Sequence, residues 1–192
     1  MSKLNPQQIS VQKGSDTKTD NKSVANKIFL RREATKHLGS LRVLDLYAGN
    51  NVLWRNFEKE KYFGIEVQQG KGRNLNVDTR RVIDALDFSQ YNVIDCDSYG
   101  IAFDIYKKIL ESPKTQKGTI VFYTAIVNVF TQMHKEGMRI FHLEKMLSKC
   151  PTLINPKGIE FFYGMLGNYG IEKVRYYEVR DDYLKHYGFF IV

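Results

Sequence analysis

The sequence predicts an α/β domain: a mostly parallel sheet with helices on both faces and an antiparallel pair of strands at the end. Three observations predict it. From residue 24 onward, short apolar runs with strand character alternate with helical periodicities. The most hydrophobic of these runs, GTIVFYTAIV at 118–127, has the continuous apolar character of a strand covered on both sides. The C-terminal residues read as two strands, 173–180 and 186–192, joined by a short acidic turn, which makes a hairpin.

Each element has its own signal. Val24 to Leu38 has helical spacing and stops at Gly39, a residue suited to ending a helix. Leu41 to Tyr47 reads as a buried strand, and Asn51 to Glu58 as a short helix. Lys61 to Val67 is a second strand, Leu75 to Asp78 a short third, Thr79 to Leu86 a helix, and Tyr91 to Cys96 a fourth buried strand. Ile101 to Leu110 puts Ile101, Ile105 and Ile109 beside Phe103, Tyr106 and Leu110 on one broad helical face, closed by Ser112-Pro113. After the fifth strand, at 118–127, helices are expected over 136–149 and over Pro156 to Tyr169, the latter ended by Gly170. With the hairpin, seven strands result.

A chain of 192 residues with 43% hydrophobic residues, twelve Tyr and twelve Phe is enough for one well-filled domain. Residues 1–22 are rich in Ser, Gln, Lys, Asp and Thr and lack the apolar surface that ordering requires, so they are expected to be a disordered basic tail before a domain spanning 23–192. The net charge is +8, and residues 1–32, with seven basic and two acidic side chains, carry +5 of it. Nucleic acid is the natural partner for such a chain, although a lysine-rich tail also serves solubility alone. Cys96 and Cys150 make no disulfide framework and read as reduced thiols of a cytoplasmic protein. No apolar run is long enough to cross a bilayer, and there is no apolar signal core. The four histidines, His37, His134, His142 and His186, have no ligand-like spacing, so no metal site is expected.

In sheets of this kind ligands bind beyond the carboxyl ends of the strands. Five acids fall there, at the ends of four consecutive strands: Asp45, Glu66, Asp78, Asp95 and Asp97. Asp78 has a structural alternative, as the cap of the following helix. The first strand runs into VLDLYAGNN at 43–51, whose small-residue turn contains Tyr47, Gly49 and Asn50. A dinucleotide site needs Gly-x-Gly-x-x-Gly here, so that pyrophosphate reaches a helix N-terminus. This turn has one glycine, and an acid before it repels pyrophosphate. An acid suits a cofactor carrying an ammonium group, and S-adenosylmethionine carries one beside a sulfonium. Glu66 then falls where a ribose diol donates two hydrogen bonds, Asp78 near the adenine amino group, and Asp45 near the ammonium. Asn50 and Asn51 are tolerated because Asn enters left-handed backbone conformations more readily than other non-glycine residues.

VLDLYAGNN resembles the first motif of class I S-adenosylmethionine-dependent methyltransferases, Asp-x-x-Ala-Gly-x-Gly, and YFGIEV resembles their second, with its acid at Glu66. YNVIDCDSYG is similar to the Asp-Val-Ile-Asp-x-Asp-Pro-Phe/Tyr-Gly segment of tRNA guanine-N2 dimethyltransferases and, more distantly, to the Asp-Pro-Pro-Tyr of rRNA and DNA amino-methyltransferases. The resemblance covers residues 41–130 and the terminal hairpin. It implies a Rossmann-like methyltransferase fold, S-adenosylmethionine as cofactor, and methylation of an exocyclic amino group, with RNA favoured over DNA. Asn51 stands where the family has Gly, and Ser98 where it has Pro.

An exocyclic amine conjugated to a base is a poor nucleophile. A carboxylate that accepts its hydrogen bonds localises the nitrogen lone pair, and an aromatic face stacks the base. Asp97 and Tyr99 are spaced for those two tasks, with Asp97 as a cap of the helix from Ile101 the structural alternative. Asp95 lies on the same side as Asp97 if the strand stays extended, and suits the cofactor's methionine end. Trp54 either shields the cofactor or packs in the core. Phe130 to Thr152, a mixture of basic residues with Met and Phe after the fifth strand, reads as a substrate-recognition insert or an ordinary amphipathic helix. Two other classes remain open: a methyltransferase acting on protein or small molecules, and a non-catalytic binding module of the same fold.

Overall fold

The structure is a computed structural model. It describes residues 2–3, 23–67, 74–98, 102–126, 158–180 and 184–192, together with residues 140, 142, 145, 149 and 150. In chain order its strands are β1 (Ser2–Lys3), β2 (Arg42–Asp45), β3 (Lys61–Glu66), β4 (Leu75–Asn76), β5 (Val93–Cys96), β6 (Ile120–Ile126), β7 (Val174–Arg180) and β8 (Leu184–Ile191). Its helices are α1 (Val24–Thr35), α2 (Thr79–Val82), α3 (Phe103–Glu111) and α4 (Gly158–Asn168).

The strands form one sheet in the order β1-β7-β8-β6-β5-β2-β3-β4. All neighbours are parallel except β8, which runs antiparallel to both β6 and β7. Leaving out β1, the seven expected strands are present in the order of a Rossmann-like methyltransferase sheet, with the C-terminal hairpin as its antiparallel part. β1 is an eighth strand that the sequence did not predict. Its two residues pair with Arg175 and Tyr176 on the outer edge of β7. They fall within the segment expected to be a disordered tail, and residues 4–22 lie outside the described residues.

The hairpin requires a glycine at one point. A Cβ on Gly188 would meet the Arg175 carbonyl oxygen and the Tyr123 ring, both at 2.5 Å. Tyr123 and Tyr176 flank Gly188 in register, so the missing side chain is what lets the large Tyr123 ring lie over β8.

Two cores cover the two faces of the sheet. On one face, Leu44, Ile94 and Val121 meet Phe103, Ile105, Tyr106 and Ile109 of α3 and Phe162, Met165 and Leu166 of α4. On the other, Val43, Val93, Ile120 and Phe122 meet Leu30 and Ala34 of α1, with Trp54 between them. Two expected helices differ. Residues 51–58 form turns instead of a helix, and 79–86 divides into α2 and a single 3₁₀ turn at Ile83–Ala85. Both segments are too short to stabilise a helix without an amphipathic face to bury. The helix expected over 136–149 falls almost wholly outside the described residues. Among the described residues no helix is long and apolar enough to cross a membrane, and Cys96 and Cys150 are free thiols.

Candidate functional site

The ligand-side turn comes first. After β2 the chain turns through Tyr47 to Asn51, with Gly49 at φ 50° and Asn51 at φ 54°. Asn51 therefore adopts the left-handed conformation that glycine gives in the related motif, and its N–H closes the turn on the Ala48 carbonyl at 2.7 Å. Gly49 N–H donates to Glu66 Oε2 at 2.9 Å, which joins the turn after β2 to the acid at the end of β3. The Asn50 carbonyl faces Arg55 at 3.4 Å. Asp78 is the N-cap of α2 and accepts the Arg80 N–H at 2.9 Å.

Asp95 and Asp97 are tied to α1, with Asp45 beside Asp95. Asp45 and Asp95 are register partners on β2 and β5, and both are buried. Asp95 Oδ2 accepts two hydrogen bonds, from Arg31 Nε at 2.7 Å and the Trp54 indole N–H at 2.6 Å, and Arg31 Nη2 stands 2.6 Å away as an ion pair. The Arg31 guanidinium also donates to the Lys27 carbonyl at 3.0 Å and lies over the Trp54 and Phe122 rings, 5.5 and 5.0 Å from their centroids. Lys27 Nζ reaches both oxygens of Asp97, at 2.9 and 2.7 Å. Thr124 donates to Asp97 Oδ1, and Arg31 Nη2 stands 3.6 Å from Oδ2. Asp45 accepts the Tyr62 hydroxyl at 3.0 Å and the Tyr47 N–H at 3.3 Å.

The electrostatics divide these three acids. For Asp97, burial raises the pKa, but Lys27 and Arg31 outweigh it and hold the carboxyl below its ordinary range. For Asp95, burial outweighs the attraction of Arg31, so the pKa is raised. Asp45 is pushed well above the ordinary value, by burial first and by the charge of Asp95 second. Among the described residues, three acidic side chains thus share two cations, Lys27 and Arg31. Asp95 Oδ1, the Tyr47 hydroxyl and Asn51 Oδ1 are buried and have no hydrogen-bond partner among the described residues. Buried polar atoms almost always have partners, and the Asp95 oxygen lies toward α1 whereas Tyr47 packs toward α3.

The structure therefore brings together Asp45, Tyr47, Gly49, Glu66, Asp95 and Asp97, with Asn50 at the turn's surface and Asp78 as a helix cap. Tyr99 lies outside the described residues. Trp54 does more than pack, because its indole holds Asp95. Sequence reasoning missed Lys27 and Arg31. Their signal is present, since the buried side of α1 is Lys27, Leu30, Arg31 and Ala34, a helical stripe in which two members are cations.

No family model matches the chain, and no curated protein matches it in sequence. Solved structures do share the fold. A possible exported protein from Bordetella parapertussis aligns with a TM-score of 0.54 at 11% identity, over 87% of this chain and 67% of that one. Trm1 from Pyrococcus horikoshii, solved in complex with S-adenosyl-L-methionine, aligns with 0.50 at 15% identity, over 87% of this chain and 54% of that one. EvdMO1 aligns with 0.50 at 13% identity, over 88% of this chain and 41% of that one. This chain thus spans about half the length of the Trm1 chain. Identities this low establish a common fold and nothing finer.

Proposed function

We propose that the chain is an S-adenosylmethionine-dependent methyltransferase that acts on an exocyclic amino group of a nucleic-acid base, in RNA rather than DNA. The buried cluster at the strand ends carries this reading. Among the described residues, the cations that meet Asp95 and Asp97 are Lys27 and Arg31, Asp45 pairs with neither, and Asp95 Oδ1 has no donor. Among the described residues this cluster holds three carboxyls and two cations, and Asp45 has its pKa raised by burial first and by the charge of Asp95 second. A cationic ligand would offset the third carboxyl, whereas a pyrophosphate would add to the negative charge.

In this reading Glu66 accepts the ribose diol, the backbone from Tyr47 to Asn50 lines the cofactor, Asp45 and Asp95 receive the ammonium, and Asp78 lies toward the adenine. When bound, the cofactor supplies an electrophilic methyl group. The chain's residues do the rest: Asp97 accepts an N–H of the target amine and localises its lone pair, and Tyr99 stacks on the base. The likeness in fold to Trm1, itself solved with this cofactor, and the +8 charge support the reading. RNA is favoured through the similarity of YNVIDCDSYG to tRNA enzymes.

Calorimetric titration with S-adenosylmethionine tests the cofactor. Wild type should bind it with a measurable heat. Glu66→Ala should weaken binding by roughly 1.5–3 kcal/mol for each lost charge-assisted bond. Preference for a nicotinamide dinucleotide, or no binding, refutes the assignment. One observation favours a second reading: both oxygens of Asp97 are already engaged, as expected for a binding module without catalysis. Transfer of labelled methyl onto bulk tRNA, rRNA, DNA or protein separates these possibilities, and Asp97→Ala should abolish most transfer onto nucleic acid.

A further inference from the structure

Asp97 has little room as the structure stands, with its side chain only 8% exposed. A carboxylate offers about four lone-pair positions. Lys27 occupies one on each oxygen and Thr124 takes a second on Oδ1, while the fourth, on Oδ2, is crowded by the Arg31 guanidinium, whose Nη2 stands 3.6 Å away, so an amine reaches this buried carboxylate only if a cation moves. A neutral amine N–H is a weaker donor to a carboxylate than an ammonium is, so it does not displace Lys27 unaided. The displaced ammonium would also be stranded. The Lys27 side chain is only 7% exposed, and Asp97 is the one carboxylate it pairs with among the described residues. Its other support is the face of the Tyr187 ring, 4.4 Å away, which attracts a cation but does not replace an ion pair.

Arg31 cannot make room instead, because it is held by Asp95, the Lys27 carbonyl and two aromatic faces. Lys27, on a flexible stem one helical turn away, is the group that moves. Its release becomes balanced when the incoming molecule brings an anion of its own. A nucleotide brings a base amine and a phosphate together, and a chain of net charge +8 favours a polyanion.

We propose that Lys27 sets the acceptor specificity: it leaves Asp97 only for a base within a nucleotide, whose phosphate receives the Lys27 ammonium, and it excludes the bare base or nucleoside. This rests on Asp97 being the acceptor for the target amine. Lys27 is then both a guard on Asp97 and a phosphate reader, with α1 as its mount.

Titration of the full chain with adenosine, guanosine and cytidine, each against its 5′-monophosphate, tests the exchange. Wild type should bind at least one monophosphate roughly tenfold tighter than its nucleoside, the worth of one charge-assisted hydrogen bond. Lys27→Gln should erase that preference, weakening the monophosphate and, with Asp97 vacated, tightening the nucleoside. Lys27→Arg, which keeps the charge, should retain most of it. In wild type the ammonium resonance of Lys27 should shift on adding the monophosphate and stay still with the nucleoside, a readout independent of how the variants fold. A preference that survives Lys27→Gln overturns the proposal, as does wild type that binds both forms alike or neither. The same samples titrated with S-adenosylmethionine keep the two questions apart: a wild type blind to the cofactor refutes the methyltransferase reading, whatever the nucleotides do.

Discussion

The two faces of the sheet solve the same packing problem with opposite materials. Toward α3 and α4 the contacts are aromatic and aliphatic, and the polar ones are tyrosine hydroxyls: Tyr106 to the Cys96 carbonyl and Tyr123 to Tyr163. Toward α1, Leu30 and Ala34 alternate with Lys27 and Arg31, which meet Asp95 and Asp97. Holding a helix to a sheet does not require buried ions. Hydrophobic residues of similar size do it as well or better, since the desolvation of two charges offsets most of their attraction. Packing alone therefore does not account for the charges on the α1 face, whereas it does account for the apolar face.

The contrast breaks most visibly at Arg31. Arg31→Leu removes the partner of a buried carboxylate and should cost about 3–5 kcal/mol in urea unfolding. Adding Asp95→Leu should restore much of that loss and still abolish cofactor binding, which separates the stability of this face from its use. Trp54→Phe keeps the ring contacts with Phe57 and Phe122 but deletes the indole donor to Asp95. It should cost roughly 1.5–3 kcal/mol, the range for a hydrogen bond to a charged group, and weaken cofactor binding as well.

The apolar face was the legible one. Ile105, Tyr106 and Ile109 announce α3 by their spacing, and GTIVFYTAIV announces β6, because burying apolar surface leaves a periodic trace in sequence. The strand-end acids were legible for a different reason. Asp45, Glu66 and Asp95 follow strands, and strand ends are where this architecture places ligands. What could not be read was the pairing. Lys27 and Arg31 are 70 and 64 residues from the acids they hold, and nothing local in either segment specifies the contact. The stripe formed with Leu30 and Ala34 shows that they face inward, not what they face. β1 was hidden more deeply: two residues gain their strand character only from the exposed edge of β7.

The pH dependence of stability sharpens the comparison, because Asp45, Asp95 and Asp97 all have shifted pKa values. Asp97, with a lowered pKa, adds stability that is complete above the ordinary carboxyl value of 3.8 and is lost as pH falls through its lower folded value. Asp45, with a raised pKa, has the opposite sign. It binds its proton more tightly when folded, so stability declines as pH rises from 3.8 through its raised value. Asp45→Asn should flatten that alkaline-side decline and leave the acid-side loss intact, measured as urea midpoints across pH. An unchanged profile would mean that the Asp45 carboxyl is not the group whose raised pKa sets that decline. Saturating S-adenosylmethionine should flatten the same limb in wild type.

The smallest effect belongs to the apolar face. The Tyr106 hydroxyl donates to the Cys96 carbonyl at 3.1 Å in a fully buried setting. That carbonyl also accepts the Ser98 N–H at 2.9 Å, so it keeps a partner when the hydroxyl is gone. The Tyr106 ring, packed 5.3 Å from Phe162, is unchanged by Tyr106→Phe. The variant should therefore lose only the net worth of one neutral hydrogen bond, about 0.5–1.5 kcal/mol, without the penalty of an orphaned acceptor. Cofactor affinity should not move, since Tyr106 packs with α3 and α4 on the side of the sheet away from Asp95 and Arg31. Equal losses of stability and affinity here would show that the two faces are coupled through β5, and the division between a folding face and a functional face would fail.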